Sequence, residues 1–244
     1  METDDYLDAL RRDAGALLSA ARAADPTTQI AGCPEWSTID LVWHIGVVHR
    51  FWCTVVAERL QERPAEWPPE RPAADLDVFA FAEESATLLP AALAGADPSE
   101  IVWTWAPRKD VGFVQRRMAQ ETAVHRVDAE RAAGVDHRLD AELAADGIDE
   151  FLTLMLPADI GGALPEGTSV HLHCTDTDRG GEWTVTRDST GAPVVAADHT
   201  KADTALRGSA HDLLMVLWQR DDLGHVEVLG DRELAGRFVA LDDA

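Results

Sequence analysis

The hydrophobic pattern of this chain changes period once, and that change constrains the fold more than any other feature. Up to about residue 156, apolar residues recur at intervals of three and four; beyond Leu164-Pro165-Glu166-Gly167 they alternate. The first period buries one stripe of a helix, and the second buries one face of a strand. A helical region followed by a smaller mixed region is predicted, an α+β chain with its boundary near residues 157–167. A length of 244 residues suits two modest domains, read here as 1–160 and 161–244.

Within the first region, Tyr6, Leu7, Leu10, Ala14, Leu17, Leu18 and Ala21 form one amphipathic face, and Asp25-Pro26 ends that helix. Ser37 is a good N-cap for a second helix, with Asp40 three residues on near the positive end of its dipole. This helix runs through Leu41, Ile45, Val48, Trp52 and Val56 to about Arg63. A proline-rich loop follows at 64–72. Further helices fit 75–93, 112–133 with Gly134 as a stop, and 140–156. In the second region strands fit 169–174, 182–186, 192–196, 203–206 and 226–229, with helices over 211–220 and 232–241.

Charge excludes some partners. The net charge is −23, with acidity spread over both regions. A nucleic-acid backbone or an anionic membrane surface calls for a basic face, so neither partner is expected. No apolar run approaches the roughly 18 residues of a spanning helix. The acidic opening METDDYLDAL reads as neither a signal nor a transit peptide, which points to the cytoplasm. Cys33, Cys53 and Cys174 are odd in number and widely spaced, so no disulfide framework or CxxC site is expected.

The residues that carry chemistry lie on the fourth helix. Glu121 and His125 are four apart, on one helical face, where a carboxylate and an imidazole can share a divalent metal. A third ligand must come from another helix. The second helix offers His44 and His49, which stand about 140° apart around its axis, so one ion is not expected to take both. His44 lies beside the buried face, with Asp40 one turn earlier as an outer partner for its other nitrogen. His49 adjoins Arg50 and is read as facing solvent. Without a metal, the same residues are a core histidine on each helix and a Glu121–Arg117 ion pair.

Two blocks carry a resemblance. The first is Cys33-Pro34-Glu35-Trp36-Ser37, then Asp40-Leu41-Val42-Trp43-His44-Ile45-Gly46 and His49-Arg50-Phe51-Trp52. The second is Val111-Gly112-Phe113, Arg116-Arg117-Met118-Ala119 and the run Glu121 to Glu130. In this order they resemble the mycothiol-dependent maleylpyruvate isomerase family, a branch of the DinB-like metal-binding helical bundles. The likeness continues through Leu206-Arg207-Gly208-Ser209-Ala210 and Leu213 to Arg220, and covers nearly the whole chain.

The resemblance implies a DinB-like four-helix bundle followed by a small α+β domain resembling sterol carriers. It implies that His44, Glu121 and His125 hold a divalent metal, usually zinc in the family. It implies mycothiol, a small thiol, as cosubstrate, and a small electrophile as its partner. A metal cation favours a thiolate over a thiol of pKa near 8.5. Addition of that thiolate to a cis alkene, rotation and elimination make an isomerase; a retained adduct makes an S-transferase. An anionic substrate needs a cation in this acidic protein. Arg220 is the first candidate for that catalytic contact, ahead of Arg50, Arg116 and Arg126.

Two rival functions stay open on sequence. The second domain could hold an apolar ligand along Leu213–Trp218, with the bundle as scaffold. The bundle could instead serve a hydrolase that uses a metal-bound water. His171 and His173 alternate on one strand face and are read as a half-buried face before a metal pair. Trp67, Trp103 and Trp105 are read first as core, and second as the lining of a pocket. Cys53 is nine residues beyond His44 and too far around and along that helix to join it as a ligand.

Overall fold

The chain folds as two compact units, Met1–Arg138 and Leu139–Ala244. They are described from a computed structural model over residues 1–178 and 180–241. The first unit is helical and the second is a small sheet with helices, so the α+β class predicted from the change of period is the observed one.

The first unit holds four long helices: α1 (Thr3–Ala23), α2 (Thr38–Ala57), α3 (Asp75–Ala94) and α4 (Val111–Ala132). α1 packs mainly on α4, and α2 on α3. The interior is built by the predicted stripes: Leu10, Leu17, Leu41, Ile45, Val55, Leu89, Leu93, Val114, Met118 and Val127 are at most 1% exposed. Each such burial stabilises the bundle by roughly 1.5–3 kcal/mol before ordering costs. α2 is the one described helix long and apolar enough to cross a membrane by length and composition, which the run-counting above missed. Its apolar side chains Leu41, Val42, Ile45 and Val55 are buried in the bundle.

α2 ends at Ala57, well short of Arg63. Arg59 takes a left-handed φ of 53°. Its N–H donates to Val56 O at 3.2 Å, and the N–H of Leu60 donates to Val55 O at 3.0 Å. This pair of bonds satisfies the last carbonyls and turns the chain out of the helix. Between α1 and α2 lies a small antiparallel hairpin that the periodicity did not indicate, β1 (Gln29–Ile30) and β2 (Cys33–Ser37).

The second unit opens with α5 (Ala141–Glu150), which continues as a π-helical turn over Phe151–Met155. The sequence places this segment in the bundle by its period; in the structure α5 packs on α6 of the second unit, and the division falls after Arg138. The sheet has five strands: β3 (Val170–Cys174), β4 (Glu182–Arg187), β5 (Pro193–Ala196), β6 (Thr204–Gly208) and β7 (Glu227–Gly230). Their order is β5-β4-β3-β6-β7, with β3 parallel to β6 and every other pair antiparallel. Helices α6 (Ala210–Leu217) and α7 (Arg232–Val239) pack on the central strands. Val170, Leu172, Val185, Leu206, Leu213, Leu214 and Phe238 form this core, each fully buried.

Candidate metal centre

The centre starts from how α2 begins. Ser37 caps it: its hydroxyl oxygen accepts from the Asp40 N–H at 3.4 Å, while Asp40 Oδ2 accepts from the Ser37 N–H at 2.9 Å. Reciprocal capping of this kind fixes where the first turn starts. One turn later His44 points across to α4, and its Nε2 lies 3.0 Å from Glu121 Oε1. Asp40 is not the outer partner of His44 that the sequence suggested. Its carboxylate is engaged by Ser37 and by the guanidinium of Arg71.

On α4 the spacing of four brings His125 Nε2 to 3.6 Å from the same oxygen, Glu121 Oε1. One ligand atom from each of His44, Glu121 and His125 lies within 4.8 Å of the others. The two imidazole rings meet edge to face, with centroids 5.0 Å apart. The other ends of these groups are held separately. Arg117, one turn earlier and 4% exposed, donates from Nη2 to Glu121 Oε2 at 3.2 Å. His125 Nδ1 lies 2.9 Å from Asp128 Oδ2. Trp36, delivered by β2, lies against both histidines, with ring centroids 4.5 Å from His44 and 5.9 Å from His125.

Burial works against charge on Glu121, but His125, His44 and Arg117 outweigh it and hold its carboxyl well below the usual range. Burial likewise pushes His125 toward the neutral form. Asp128 and Glu121 outweigh that too, raising it to about 9. The centre therefore favours positive charge. His44 and Glu121 keep 27% and 23% of their side chains exposed, so the centre opens to solvent. These features fit a divalent ion: two imidazole nitrogens and a carboxylate oxygen converge, and a carboxylate behind one imidazole aims its second nitrogen inward. His44, Glu121 and His125 would hold it.

His49 is not on the solvent side. It is fully buried, its Nε2 lies 2.8 Å from Thr122 Oγ1, and burial pushes its pKa down to about 4. It braces α2 on α4, about 1.4 turns beyond His44 along α2. Cys33 also comes near, with a ligand atom within 4.8 Å of those of His125 and Asp128. Asp128, Trp36 and Cys33 were not picked out as parts of a site. The aspartate could have been found from its i, i+3 spacing to His125; the hairpin residues carried no such signal.

The model of the mycothiol maleylpyruvate isomerase N-terminal domain matches residues 7–130. That of the C-terminal domain of the same family matches residues 142–237. The chain belongs to the mycothiol maleylpyruvate isomerase family. A crystal structure of the mycothiol-dependent maleylpyruvate isomerase has a TM-score of 0.60 to this chain at 12% identity, with 93% of each chain covered. A histidine-to-alanine mutant of that isomerase gives 0.61 at the same identity and coverage. At this identity these two likenesses speak for the fold. No curated protein matches the sequence.

In this member of the maleylpyruvate isomerase family, the candidate arginines have different surroundings. Arg50 donates to Ser85 and Glu84 and lies over the Phe81 ring, and Arg126 is buried against Asp13. Both are committed to the bundle. Arg220 stands in the second unit, past the end of α6, where its N–H donates to Met215 O and its guanidinium to Trp218 O. It lines a cavity of about 760 Å³ with Gln219, Asp222, Arg232 and Val239. In the bundle, Trp67, Trp103 and Trp105 line a groove of about 420 Å³ with Val47, Val48, Phe51, Trp52 and Arg63. Val47 and Val48 are one turn beyond His44 on α2.

Proposed function

We propose that this chain is a metal- and mycothiol-dependent enzyme acting on a small, anionic, electrophilic alkene. Family membership supports mycothiol as the thiol and maleylpyruvate-type cis–trans isomerisation as the reaction; S-transfer to a related electrophile is the alternative outcome of the same addition. The observation that carries the metal reading is the convergence of His44, Glu121 and His125 on one point that is open to solvent.

A divalent ion held by His44, Glu121 and His125, most simply zinc, would supply a cation that favours the thiolate over the thiol. The rest is done by the chain. Asp128 holds the proton on His125 Nδ1, so Nε2 faces the centre. Arg117 holds Glu121 Oε2, so Oε1 stays turned toward the histidines. Trp36 covers both imidazoles on one side and excludes water there. The tryptophan groove begins a turn away on α2, and its apolar walls with Arg63 suit a flat, unsaturated, anionic molecule. Arg220 is the catalytic contact we assign to the substrate carboxylate. The thiol adds to the alkene, the new single bond rotates, and expulsion of the thiol gives the trans product.

The test is turnover of maleylpyruvate with mycothiol, alongside elemental analysis for metal. Glu121→Gln with His125→Ala is expected to lose one bound ion per chain together with thiol-dependent turnover, while circular dichroism keeps the helical signal. Full turnover in that variant would refute the metal reading. Activity without any thiol would point to a hydrolase instead.

A further inference from the structure

Four metal-ligating side chains meet on the sheet of the second unit. His171 and His173 are two apart on β3, so both stand on the face opposite Val170, Leu172 and Cys174. Across the antiparallel ladder His173 pairs with Glu182 and His171 with Thr184. His199 joins them from the connection between β5 and β6. One ligand atom from each of His171, His173, Glu182 and His199 lies within 4.8 Å of all the others. The ring of His199 is 5.3 Å from that of His171 and 6.1 Å from that of His173, centroid to centroid.

As a set of ordinary polar contacts this group is poorly satisfied. All three imidazoles crowd one carboxylate: His171 Nε2 lies 3.3 Å from Glu182 Oε2, His173 Nδ1 lies 3.7 Å from Oε1, and His199 Nδ1 contacts Oε2. His171 is only 5% exposed. Its Nε2 is buried and makes no hydrogen bond, being misaligned with Glu182 despite the short distance. A buried polar atom left this way costs free energy and calls for a reason. The other nitrogen, Nδ1, lies 3.4 Å from Thr184 Oγ1. With its proton directed there, Nε2 turns a lone pair into the cluster, as a metal-binding imidazole does.

We propose that His171, His173, Glu182 and His199 form a second metal site, taking a divalent transition ion such as zinc. Three imidazole nitrogens and one carboxylate oxygen select such an ion over calcium or magnesium, which prefer all-oxygen shells. A tetrahedral ion at about 2.0–2.1 Å from each ligand sets the ligand atoms about 3.3 Å apart. Starting from separations of no more than 4.8 Å, the contraction needed is at most about 1.5 Å. Four protein ligands fill the tetrahedron, so the site is structural: it ties the connection that carries His199 to β3 and β4. Its ligands all belong to the second unit, and it does not rest on the function proposed for the bundle.

The test uses the full chain without an affinity tag. Glu121→Gln with His125→Ala disables the bundle centre; this chain is titrated with cobalt(II), read by its visible d–d absorption, then with zinc. One cobalt per chain is expected, with the intense spectrum of a four-coordinate ion, and zinc displaces it. Adding His173→Ala and His199→Ala is expected to weaken binding at least a hundredfold. Trypsin cleavage after Lys201, which is exposed in the same connection, slows with zinc only when the four ligands are intact. If the bundle-disabled chain misfolds, the wild-type background serves: the same two histidine substitutions remove one zinc per chain and leave thiol-dependent turnover unchanged. No ion in the bundle-disabled folded chain, or binding that survives loss of His173 and His199, would overturn the proposal.

Discussion

Asp128 Oδ2 lies 2.9 Å from Nδ1 of His125, three residues earlier on the same helix. That contact sets which imidazole nitrogen carries a proton, and so which one can accept a cation. It acts through His125, which makes Asp128 a positioning residue. Asp128→Asn keeps the size of this buried side chain and removes its charge. Metal affinity measured by chelator competition is expected to fall about 10–100-fold, with the helical signal unchanged. An unaltered affinity would show that His125 is held in place by packing alone.

Arg220 and its rival Arg63 separate by kinetics. Arg220→Met and Arg63→Met each remove one positive charge from a different unit. If Arg220 takes the substrate carboxylate, its loss lowers kcat/KM by about 10–100-fold, the scale of a charged hydrogen bond. Arg63→Met then has a smaller effect, confined to KM. The reverse ranking would move the anion contact to the tryptophan groove.

Stability at acid pH reports the cap of α2. Burial alone would raise Asp40, but Ser37 and Arg71 outweigh it and hold the carboxyl at about 2. A depressed value in the folded state means stability that is present above the unfolded value of 3.8 and lost as pH falls toward about 2. Asp40→Asn is therefore expected to destabilise at pH 7 and to match wild type near pH 2 in denaturant titrations. Ser37→Ala should cost about 1 kcal/mol at neutral pH by loss of the cap.

Cys174 should be inert in the native chain. Burial, with Asp176, Glu142 and Glu182 adding to it, pushes its thiol from 9.0 up to about 12. A thiolate is the reactive form, and three pH units shrink its fraction about a thousandfold. A disulfide reagent at pH 8 should label Cys174 only after denaturant is added, as read by peptide mass. Rapid native labelling of Cys174 would contradict its placement in the sheet core.

Much of this architecture can be read from the sequence where a physical period does the work. The Glu121–His125 pair follows from the helical repeat, and the angular argument separates His44 from His49. That argument does not reveal which way His49 turns; packing decides it, and His49 goes inward to Thr122. Helix ends divide the same way. Gly134 announces the end of α4 with a φ of 75°, but α2 and α6 end through Arg59 and Gln219, at 53° and 56°. Neither residue type signals a left-handed turn, so both helices read too long. The hairpin that brings Trp36 to the histidines has strands of two and five residues, too short for any period to register.

His44 and Glu121 stand 77 residues apart in the chain. An unfolded polypeptide holds them far from one another, and only the meeting of α2 with α4 creates the place where they touch. Order of assembly is thereby built in: the bundle must close before an ion can be captured there. On the metal reading proposed above, occupancy would record completed folding, and a shortage of the ion would leave finished bundles that are less durable, not unfinished ones.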